Sequence, residues 1–328
     1  MEKFVIHTIF LIYSIIIYKY RHKIAIYFGI LDMPDANRKS HDTPVPAIGG
    51  IIIFPFISYS LITLYSEDYI KLKILFIWIL LYASFFLIGL VDDRIHLNAK
   101  IKTFFLLFVL FIILPLDKSL IIENLQFKDL DYVILLNQGS LFFTIFCIFF
   151  FYNSLNFSDG LNGISILISI YFLSILIFSK NEINSFDIAI IFSLVLILIP
   201  NLMGKIFVGN SGVSFLACVI FIYIIDSYNK SQILFDEIIL IMFLPTIDTV
   251  RITIERLLSG KSPFLSDKNH FHHLLTKIIN KKYVCIPYIL FSILPYLTNN
   301  MGIVSYLSFA IFLILYSFIL IFLKLRND

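Results

Sequence analysis

Long apolar runs separated by short polar segments recur along the whole chain. We place membrane spans near residues 4–20, 48–64, 74–91, 103–116, 140–155, 164–179, 186–200, 212–226, 235–250, 283–297 and 303–323. Several runs are shorter than the roughly 20 residues that a straight helix needs to cross a bilayer core. Because an unpaired backbone amide in lipid costs several kcal/mol, every span is predicted to be helical. The pattern therefore predicts an all-α polytopic membrane protein, with residues 1–328 as a single integral membrane domain.

Composition supports this class. The chain of 328 residues is 59% hydrophobic and 14% charged, with a mean hydropathy of +0.94. This is too little polar surface for a soluble enzyme, and too many apolar residues for a disordered protein. The cysteines Cys147, Cys218 and Cys285 lie far apart in apolar runs, so we interpret them as small buried hydrophobic residues. A net charge of +3 is too small to indicate a nucleic-acid partner.

Lysine and arginine are distributed unevenly between the two sets of alternating loops. One set, with the C-terminus and the bordering Lys19, carries 18 of the 25 basic residues. Its loops are 21–47, 92–102, 156–163, 201–211 and 251–282. Short basic loops stay in the cytosol, so this set is predicted to be cytosolic, with the N-terminus outside and the C-terminus inside. The first apolar run lacks a small-residue cleavage site and is interpreted as a retained span.

Two adjacent carboxylates, Asp92 and Asp93, directly follow an apolar run. Their mutual repulsion favours a shared cation such as Mg²⁺, and either one suits a general base. Lys100 and Lys102 follow and are placed either to face phosphate or only to set topology. The alternative interpretation of the acidic pair is a polar helix end at the membrane interface.

Asparagine, serine and glycine concentrate between residues 153 and 163. Asn156, Asp159 and Asn162 are spaced by three, so one helical turn would place them near one face. Gly160 permits close backbone approach. The segment suits recognition of a nucleobase or a sugar, and the alternative is a loop with ordinary turn residues.

Small residues also fill the segment from Lys205 to Ser214, before a predicted span. Such a segment offers backbone N–H groups to phosphate, although an ordinary helix N-cap needs the same residues. A further segment, from Asp32 to Gly50, combines prolines with a glycine pair at a span entrance. It suggests a loop fixed against the membrane, or a rigid connector that sets topology.

Three of the seven histidines, His270, His272 and His273, lie within four residues. No cysteine accompanies them, and the adjacent His272 and His273 cannot easily point at one metal from a helix. Phosphate contact or structural packing is therefore favoured over a zinc site.

All five clusters fall in the loops predicted to be cytosolic, whereas the outer loops have the composition of solvated connectors. This one-sidedness is typical of a membrane enzyme with a cytosolic substrate. A transporter or lipid carrier more often places polar groups at the bilayer midplane, and it is kept as the alternative.

In this order, the motifs resemble the polyprenyl-phosphate N-acetylhexosamine-1-phosphate transferase family, over residues 30–275. The motifs that carry the resemblance are Arg38-Lys39-Ser40-His41 with Pro46 to Gly50, Leu90 to Arg94, Asn153 to Gly163, Lys205 to Ser214, Pro245 to Asp248 through Arg256, Ser262 to Phe264, and Asp267 to His273. The final His-x-His-His resembles the branch that takes simple UDP-sugars.

The resemblance implies a bundle of ten or eleven membrane helices with a cytosol-facing active site, in the bacterial inner (cytoplasmic) membrane. The implied reaction takes UDP-N-acetylhexosamine and undecaprenyl phosphate to undecaprenyl-diphospho-sugar and UMP, as the first membrane step of a cell-envelope glycan pathway. The implied cofactor is Mg²⁺, with Mn²⁺ as its substitute. Partners are the two substrates and the lipid bilayer, with no nucleic acid, and a homodimer is left open.

The resemblance also implies roles for single residues. Asp92 matches the general base on the lipid phosphate, and Asp93 lies beside it in the phosphate and metal region. The other matches are Asn156 and Asp159 near the metal and sugar; Gly160, Leu161 and Asn162 at uracil; Phe207 stacked on uracil; Gly209 at the substrate; His270, His272 and His273 near the diphosphate; and Lys100 or Lys102 near the lipid phosphate. The implied metal ligands are Asn210, Asn156 and Asp93.

The chain departs from the family pattern at three positions. Asn210 stands where the family has a metal-binding Asp, Val213 intervenes before Ser214, and Ala47 stands where Arg is common. An Asn keeps an oxygen ligand but loses the charge, so metal affinity is expected to fall. A catalytically weakened or binding-only paralogue is therefore a second alternative.

Overall fold

The computed structural model describes residues 2–34, 43–130, 132–180, 182–263 and 267–326. Its first seven helices are α1 (Glu2–Lys19), α2 (Arg21–Phe28), α3 (Gly49–Ser66), α4 (Leu72–Ile95), α5 (Ala99–Ile113), α6 (Ser140–Ser158) and α7 (Ile164–Phe178). The next seven are α8 (Ser185–Leu202), α9 (Gly209–Asn229), α10 (Phe235–Ile241), α11 (Phe243–Leu258), α12 (Phe271–Leu275), α13 (Cys285–Asn300) and α14 (Ser305–Leu325). Two antiparallel strand pairs lie in loops: β1 (Leu31–Asp32) with β2 (Val45–Pro46), and β3 (Asn124–Gln126) with β4 (Val133–Leu135).

The predicted fold class, an all-α polytopic membrane protein, is confirmed. Within the described residues, seven helices are long and apolar enough to cross a membrane: α3, α4, α5 extended to Leu116, α6 extended back to Asn137, α8, α9 and α14. Two further apolar helices, Ile6–Lys19 and Ile164–Phe178, are shorter. Each of the eleven predicted spans contains at least one helix.

The predicted span over residues 235–250 is not one continuous helix. It is divided at Met242 into α10 and α11. Pro245 lies in the first turn of α11, where its missing N–H cannot continue the hydrogen bonding of α10 but is tolerated at a helix start. The sequence pattern missed the break because apolar residues continue through it.

The chain divides into two compact units. The first unit comprises Met1–Lys118 and Lys180–Ile222. In it, α3 packs against α8, α4 and α1. The ring of Phe10 stacks on that of Phe56 with centroids 3.8 Å apart, and Ile53, Ile57 and Leu61 of α3 are fully buried.

The second unit comprises Ser119–Ser179 and Tyr223–Asp328. Here α6 packs on α11, and α13 packs on α7, α10 and α14. Its aromatic core includes Phe243, whose ring meets the Phe309 ring edge-on at 5.4 Å, and the fully buried Tyr288. All three cysteines are free thiols; Cys218 and Cys285 are buried as predicted, whereas Cys147 is half-buried, so the prediction of burial is wrong there.

Candidate active site

In the first unit, Asp92 forms a buried ion pair with Lys102. Its Oδ2 lies 2.8 Å from the Lys102 Nζ, and its Oδ1 accepts the N–H of Leu97 at 2.8 Å. The residue is 7% exposed. The Nζ of Lys102 also lies 3.4 Å from the Oδ1 of Asn210. A carboxylate, an ammonium and an amide oxygen thus converge at the end of α4.

A tight turn between α4 and α5 brings Lys102 back onto Asp92. His96 ends α4 with a left-handed backbone (φ 49°), and its N–H bonds the Asp92 carbonyl oxygen at 2.9 Å. The Asn98 side chain then caps α5 by accepting the Lys100 N–H at 3.0 Å. Lys100 itself is exposed, so among the two candidate lysines it is Lys102 that contacts Asp92.

Asp93 caps the N-terminus of α9. Its Oδ1 accepts the N–H of Asn210 at 2.6 Å, and its Oδ2 accepts the N–H of Ser211 at 2.9 Å. A carboxylate at this position also complements the positive end of the helix dipole. The backbone N–H groups that the sequence offered to phosphate are thus bound by Asp93.

Glycines allow the helices of the first unit to approach backbone to backbone near this cap. A Cβ on Gly89 would collide with the backbone of Asn210, and one on Gly50 would lie 2.5 Å from the Gly212 nitrogen. Gly209 has φ +75°, and a Cβ there would lie 2.8 Å from the Asp93 Oδ2. Its role in the structure is therefore to let the chain enter α9 over Asp93.

The segment that leads into α9 is bonded to the start of α3. Phe207 donates its N–H to the Pro46 carbonyl oxygen at 2.9 Å and accepts the N–H of Gly49 at 3.0 Å. Gly50 donates to the Val208 carbonyl oxygen at 3.0 Å. Phe207 is half-buried, with its backbone fixed by these bonds.

In the second unit, α6 ends inside the asparagine-rich motif. Its last residue is Ser158, and residues 159–163 form turns. The expectation that one helical turn aligns Asn156, Asp159 and Asn162 is therefore wrong, because only Asn156 is helical. The turn instead fixes Asp159, whose Oδ1 accepts the hydroxyl of Ser165 in the first turn of α7.

The turn at Gly160 lies directly against the histidine motif. A Cβ on Gly160 would collide with the His272 Nε2 and lie 3.0 Å from the His273 Nε2. His272 is fully buried, and neither ring nitrogen has a hydrogen-bond partner among the described residues. Burial lowers the pKa of His272 well below its usual range, and the neighbouring His273 and His270 lower it further. His272 is therefore a neutral, buried side chain that packs against the turn at Gly160.

His273 is less deeply buried than His272, and burial lowers its pKa as well. Burial, followed by the charges of His270 and Lys268, lowers the pKa of His273 to about 4. It is neutral at physiological pH. No group of three His, Cys, Asp or Glu side chains within the described ranges gathers to hold a metal ion.

Arg256 is a buried cation beside this motif. Its Nε lies 2.9 Å from the Asp267 Oδ2, its Nη1 donates to the Pro263 carbonyl oxygen, and its guanidinium lies 5.5 Å from the Phe157 ring centroid. Its Nη2 has no hydrogen-bond partner in the part of the chain that the structure describes. Burial raises the pKa of Asp267, but the Asn269 N–H and Arg256 outweigh it and hold the pKa below its usual value.

Comparisons with known proteins show which proteins this chain is similar to. The profile of glycosyl transferase family 4 matches residues 75–228. The probable undecaprenyl-phosphate N-acetylglucosaminyl 1-phosphate transferase of Bacillus subtilis (strain 168) is 29% identical over 269 residues, which are 77% of this chain and 71% of the relative. Over these residues the chain is similar to glycosyl transferase family 4.

Two enterobacterial relatives are similar over a comparable length. Both are named undecaprenyl-phosphate alpha-N-acetylglucosaminyl 1-phosphate transferase. That of Salmonella typhi is 26% identical over 289 residues, and that of Escherichia coli (strain K12) is 25% identical over 286 residues. Each alignment covers 82% of this chain and 75% of the relative. The chain is accordingly a multi-pass membrane transferase.

The structure groups the predicted site residues of this transferase by unit. Asp92, Asp93, Lys102, Phe207, Gly209 and Asn210 belong to the first unit, and Asn156, Asp159, Gly160, Leu161, Asn162, His270, His272 and His273 belong to the second. Leu161 is buried, whereas Gly160 and Asn162 are exposed, so only the latter two present side-chain or backbone surface to solvent. Arg38-Lys39-Ser40-His41 and Phe264 lie outside the described residues.

Sequence reasoning assigned no role to Asp248 and Arg251, which lie beside the histidine motif. Asp248 is 3% exposed and lies 3.0 Å from the His270 Nδ1, and it pairs with Arg251 at 2.7 Å. An acidic residue inside an apolar run was the available signal, since such residues are rare in membrane segments and usually functional.

Proposed function

We propose that this transferase moves an N-acetylhexosamine 1-phosphate group from a UDP-sugar to undecaprenyl phosphate and releases UMP. The observation that carries the proposal is the buried Asp92–Lys102 pair beside Asn210, in a chain whose relatives are named undecaprenyl-phosphate N-acetylglucosaminyl 1-phosphate transferases. An oxygen of the lipid phosphate attacks the sugar-linked phosphorus, a new P–O bond forms, and the bond to the UMP oxygen breaks.

Asp92 and Lys102 would act on the lipid phosphate. Lys102 offsets the negative charge of that phosphate, because two phosphorylated substrates repel each other before an in-line attack. As the ammonium turns to the phosphate, the Asp92 Oδ2 loses its 2.8 Å partner and becomes available to accept a proton from it. The Leu97 N–H continues to hold the Asp92 Oδ1.

The first unit offers oxygen donors suited to Mg²⁺. Magnesium is commonly held by one or two carboxylates together with substrate phosphates and water. In this unit, Asp93 and the amide oxygen of Asn210 would be its protein ligands, with the second lone pairs of the Asp93 oxygens left over from the α9 cap. When bound, the cation would supply charge neutralisation of the phosphates. Mn²⁺ takes the same oxygen ligands.

The second unit would bind the diphosphate of the donor. Arg256 has a buried N–H without a partner among the described residues, and a phosphate oxygen would satisfy it. His270 belongs to the histidine motif and Asp159 to the asparagine-rich motif of the same unit. The exposed Gly160 and Asn162 would present the turn to the nucleotide and sugar. His272 stays behind the turn and does not contact the substrate.

A panel assay tests the proposal. Purified protein with undecaprenyl phosphate and Mg²⁺ is given different UDP-N-acetylhexosamines, and UMP release is measured. Release with one or more of the sugars is expected, and Asp92→Asn should abolish it. A protein that carries lipid or nucleotide sugar across liposomes without any UMP release would instead be the transporter that the sequence left as an alternative.

Asn210 favours a weakened enzyme as the second candidate function. Its amide supplies one oxygen and no charge where an Asp would supply a charged ligand. Asn210→Asp should lower the Mg²⁺ concentration needed for half-maximal rate. If wild-type protein binds the UDP-sugar without turnover and Asn210→Asp gains turnover, the chain is a binding-only paralogue.

The orientation in the bacterial inner membrane belongs to the same proposal. We expect the α4–α5 turn and the C-terminus on the cytosolic side and the N-terminus outside. Cysteine introduced at the exposed Lys100 should be protected from an impermeant maleimide in intact cells, whereas one at the exposed Tyr132 should react. The opposite labelling pattern would reverse the topology.

A further inference from the structure

Asp248 is a buried carboxylate surrounded by donors. Its Oδ1 accepts the Tyr316 hydroxyl and the Arg251 Nη2, each at 2.7 Å. Its Oδ2 lies 3.0 Å from the His270 Nδ1 and 3.1 Å from the Phe271 nitrogen. Four donors match the roughly four lone-pair sites of an ionised carboxylate. All acceptor capacity of Asp248 is therefore used inside the second unit.

This geometry fixes the tautomer of His270. The ion pair with Arg251 keeps Asp248 charged, and a charged carboxylate can only accept hydrogen bonds. The His270 Nδ1 must therefore carry a proton, which leaves Nε2 as the atom that can meet a ligand. The ring is also held by contacts with the rings of Phe157 at 5.3 Å and His272 at 5.6 Å.

Arg251 links this carboxylate to the loop that carries the histidines. Its Nη2 also donates to the Asn269 carbonyl oxygen at 2.7 Å, directly before His270. Its Nε donates to the Tyr316 hydroxyl at 2.8 Å. Arg251 therefore holds the carboxylate and the backbone next to His270 in one arrangement.

Charged contacts continue from this group to α14. The Arg251 Nη1 lies 2.9 Å from one oxygen of Glu255, and the Lys324 Nζ lies 2.7 Å from the other. Tyr316 and Lys324 both belong to α14, so the last helix of the chain contacts the group at two points. This helix lies outside the range matched by the family profile, residues 75–228.

We propose that Asp248, braced by Arg251 and by Tyr316 of α14, is a positioning residue that presents the His270 Nε2 to a phosphate oxygen of the donor. The proposal rests on the proposed function for the substrate it names, whereas the tautomer of His270 follows from the contacts alone. Carboxylates that orient metal-bound imidazoles typically contribute about 10- to 100-fold to affinity or activity, and we expect an effect of the same order for an imidazole that contacts phosphate.

The first test compares Asp248→Asn, His270→Gln and the double variant in the UMP-release assay. Asp248→Asn keeps the shape but offers an NH2 group or a weaker acceptor to the imidazole. We expect kcat to fall about 10- to 100-fold. If Asp248 acts through His270, the double variant should be no slower than His270→Gln alone. Multiplication of the two losses would overturn the proposal.

The second test does not depend on activity. Protein labelled with ¹⁵N-histidine should show His270 as the Nδ1–H form, identified by the resonance that disappears in His270→Gln. Asp248→Asn should change that resonance. A His270 signal of the Nε2–H form in the wild-type protein would contradict the proposal, whether or not any UDP-sugar is turned over. If the Nδ1–H signal is found but the protein is inactive, the proposed function is wrong and the positioning of His270 is not.

Tyr316→Phe covers the case in which Asp248→Asn does not fold. It removes one donor to Asp248 and keeps the ring, whose centroid lies 5.3 Å from that of Phe271. The proposal predicts that Tyr316→Phe lowers kcat less than Asp248→Asn does, and that it lowers kcat no further in a protein that already carries His270→Gln. An equal loss of kcat in the wild-type and His270→Gln proteins contradicts it. Asp226→Asn, which removes an exposed i,i+4 partner of Lys230, is the matched control and should leave kcat unchanged.

Discussion

Asp93 and Asn210 are 117 residues apart in the chain, yet the Asp93 Oδ1 lies 2.6 Å from the Asn210 nitrogen. The second oxygen binds the next N–H, that of Ser211. One residue of the acidic pair therefore holds the start of α9, while its neighbour Asp92 pairs with Lys102. The two adjacent carboxylates have separate partners, and their substitutions should have separable effects.

Asp93→Asn should lower the stability of the protein. Asparagine offers one oxygen to the two N–H groups and no charge to the helix dipole, and a lost cap costs about 1–2 kcal/mol. The thermal unfolding midpoint in detergent should therefore fall. Asp226→Asn serves as the control, because its ion pair is exposed and should contribute little. Equal midpoints for wild type and Asp93→Asn would contradict the capping role.

Lys102→Gln should impair transfer, and Lys100→Gln should not. Both lysines lie at the start of α5, but only the Lys102 Nζ reaches Asp92, at 2.8 Å, while Lys100 is exposed. Removing one member of a buried, hydrogen-bonded charge pair costs about 2–3 kcal/mol, or roughly two orders of magnitude in kcat/KM. The UMP-release assay with varied undecaprenyl phosphate measures this. Similar losses in both variants would show that neither lysine acts through Asp92.

Gly160→Ala should destabilise the second unit and weaken donor binding. The added Cβ would collide with the buried His272 ring, and overpacking of this kind costs about 1–3 kcal/mol. Gly139→Ala is the matched control, since a Cβ there has no atom within 4 Å. Thermal unfolding and UDP-sugar binding are the readouts. A Gly160→Ala protein that matches the control in both would exclude the close approach to His272.

Stability should fall as the pH is lowered through the range below about 6.5. Burial lowers the pKa of His273 to about 4 in the folded protein, against 6.5 in an unconstrained histidine. Between these values the unfolded chain binds the extra proton and the folded chain does not, so protons favour unfolding. The loss of folding stability caused by His273 is absent above pH 6.5 and grows as the pH falls towards 4. Unfolding midpoints measured from pH 8 to pH 5 test this, and His273→Gln should show a shallower decline.

The helices were largely predictable because apolar runs in a membrane protein have one available structure. The positions where helices are interrupted were less predictable. The sequence pattern predicts one span over residues 235–250, but the structure has two helices there, with a break at Met242 and Pro245 in the first turn of the second. The end of α6 at Ser158 was missed for a related reason, since spacing by three suggested a helix through Asp159 that the turn at Gly160 interrupts.

The candidate site was predictable in its residue types and less in their partners. Sequence alone left Lys100 and Lys102 equivalent, and the left-handed residue His96 decides between them by setting the turn. Tyr316 lies 68 residues from Asp248 in an ordinary apolar helix, so no local pattern signals their hydrogen bond. Asp248 itself carries a signal in the sequence, because an acidic residue in an apolar run is rare and usually functional.

The phosphorus that reaches the lipid distinguishes transfer of a sugar 1-phosphate from transfer of a sugar alone. UDP-N-acetylglucosamine, or another accepted UDP-N-acetylhexosamine, is labelled with ³²P at either the α or the β position and incubated with the protein, undecaprenyl phosphate and Mg²⁺. We expect the β label to appear in the organic phase with the lipid and the α label to remain in water as UMP. Transfer of the sugar without the β label, or no lipid-linked label with any UDP-sugar of the panel, would contradict the account.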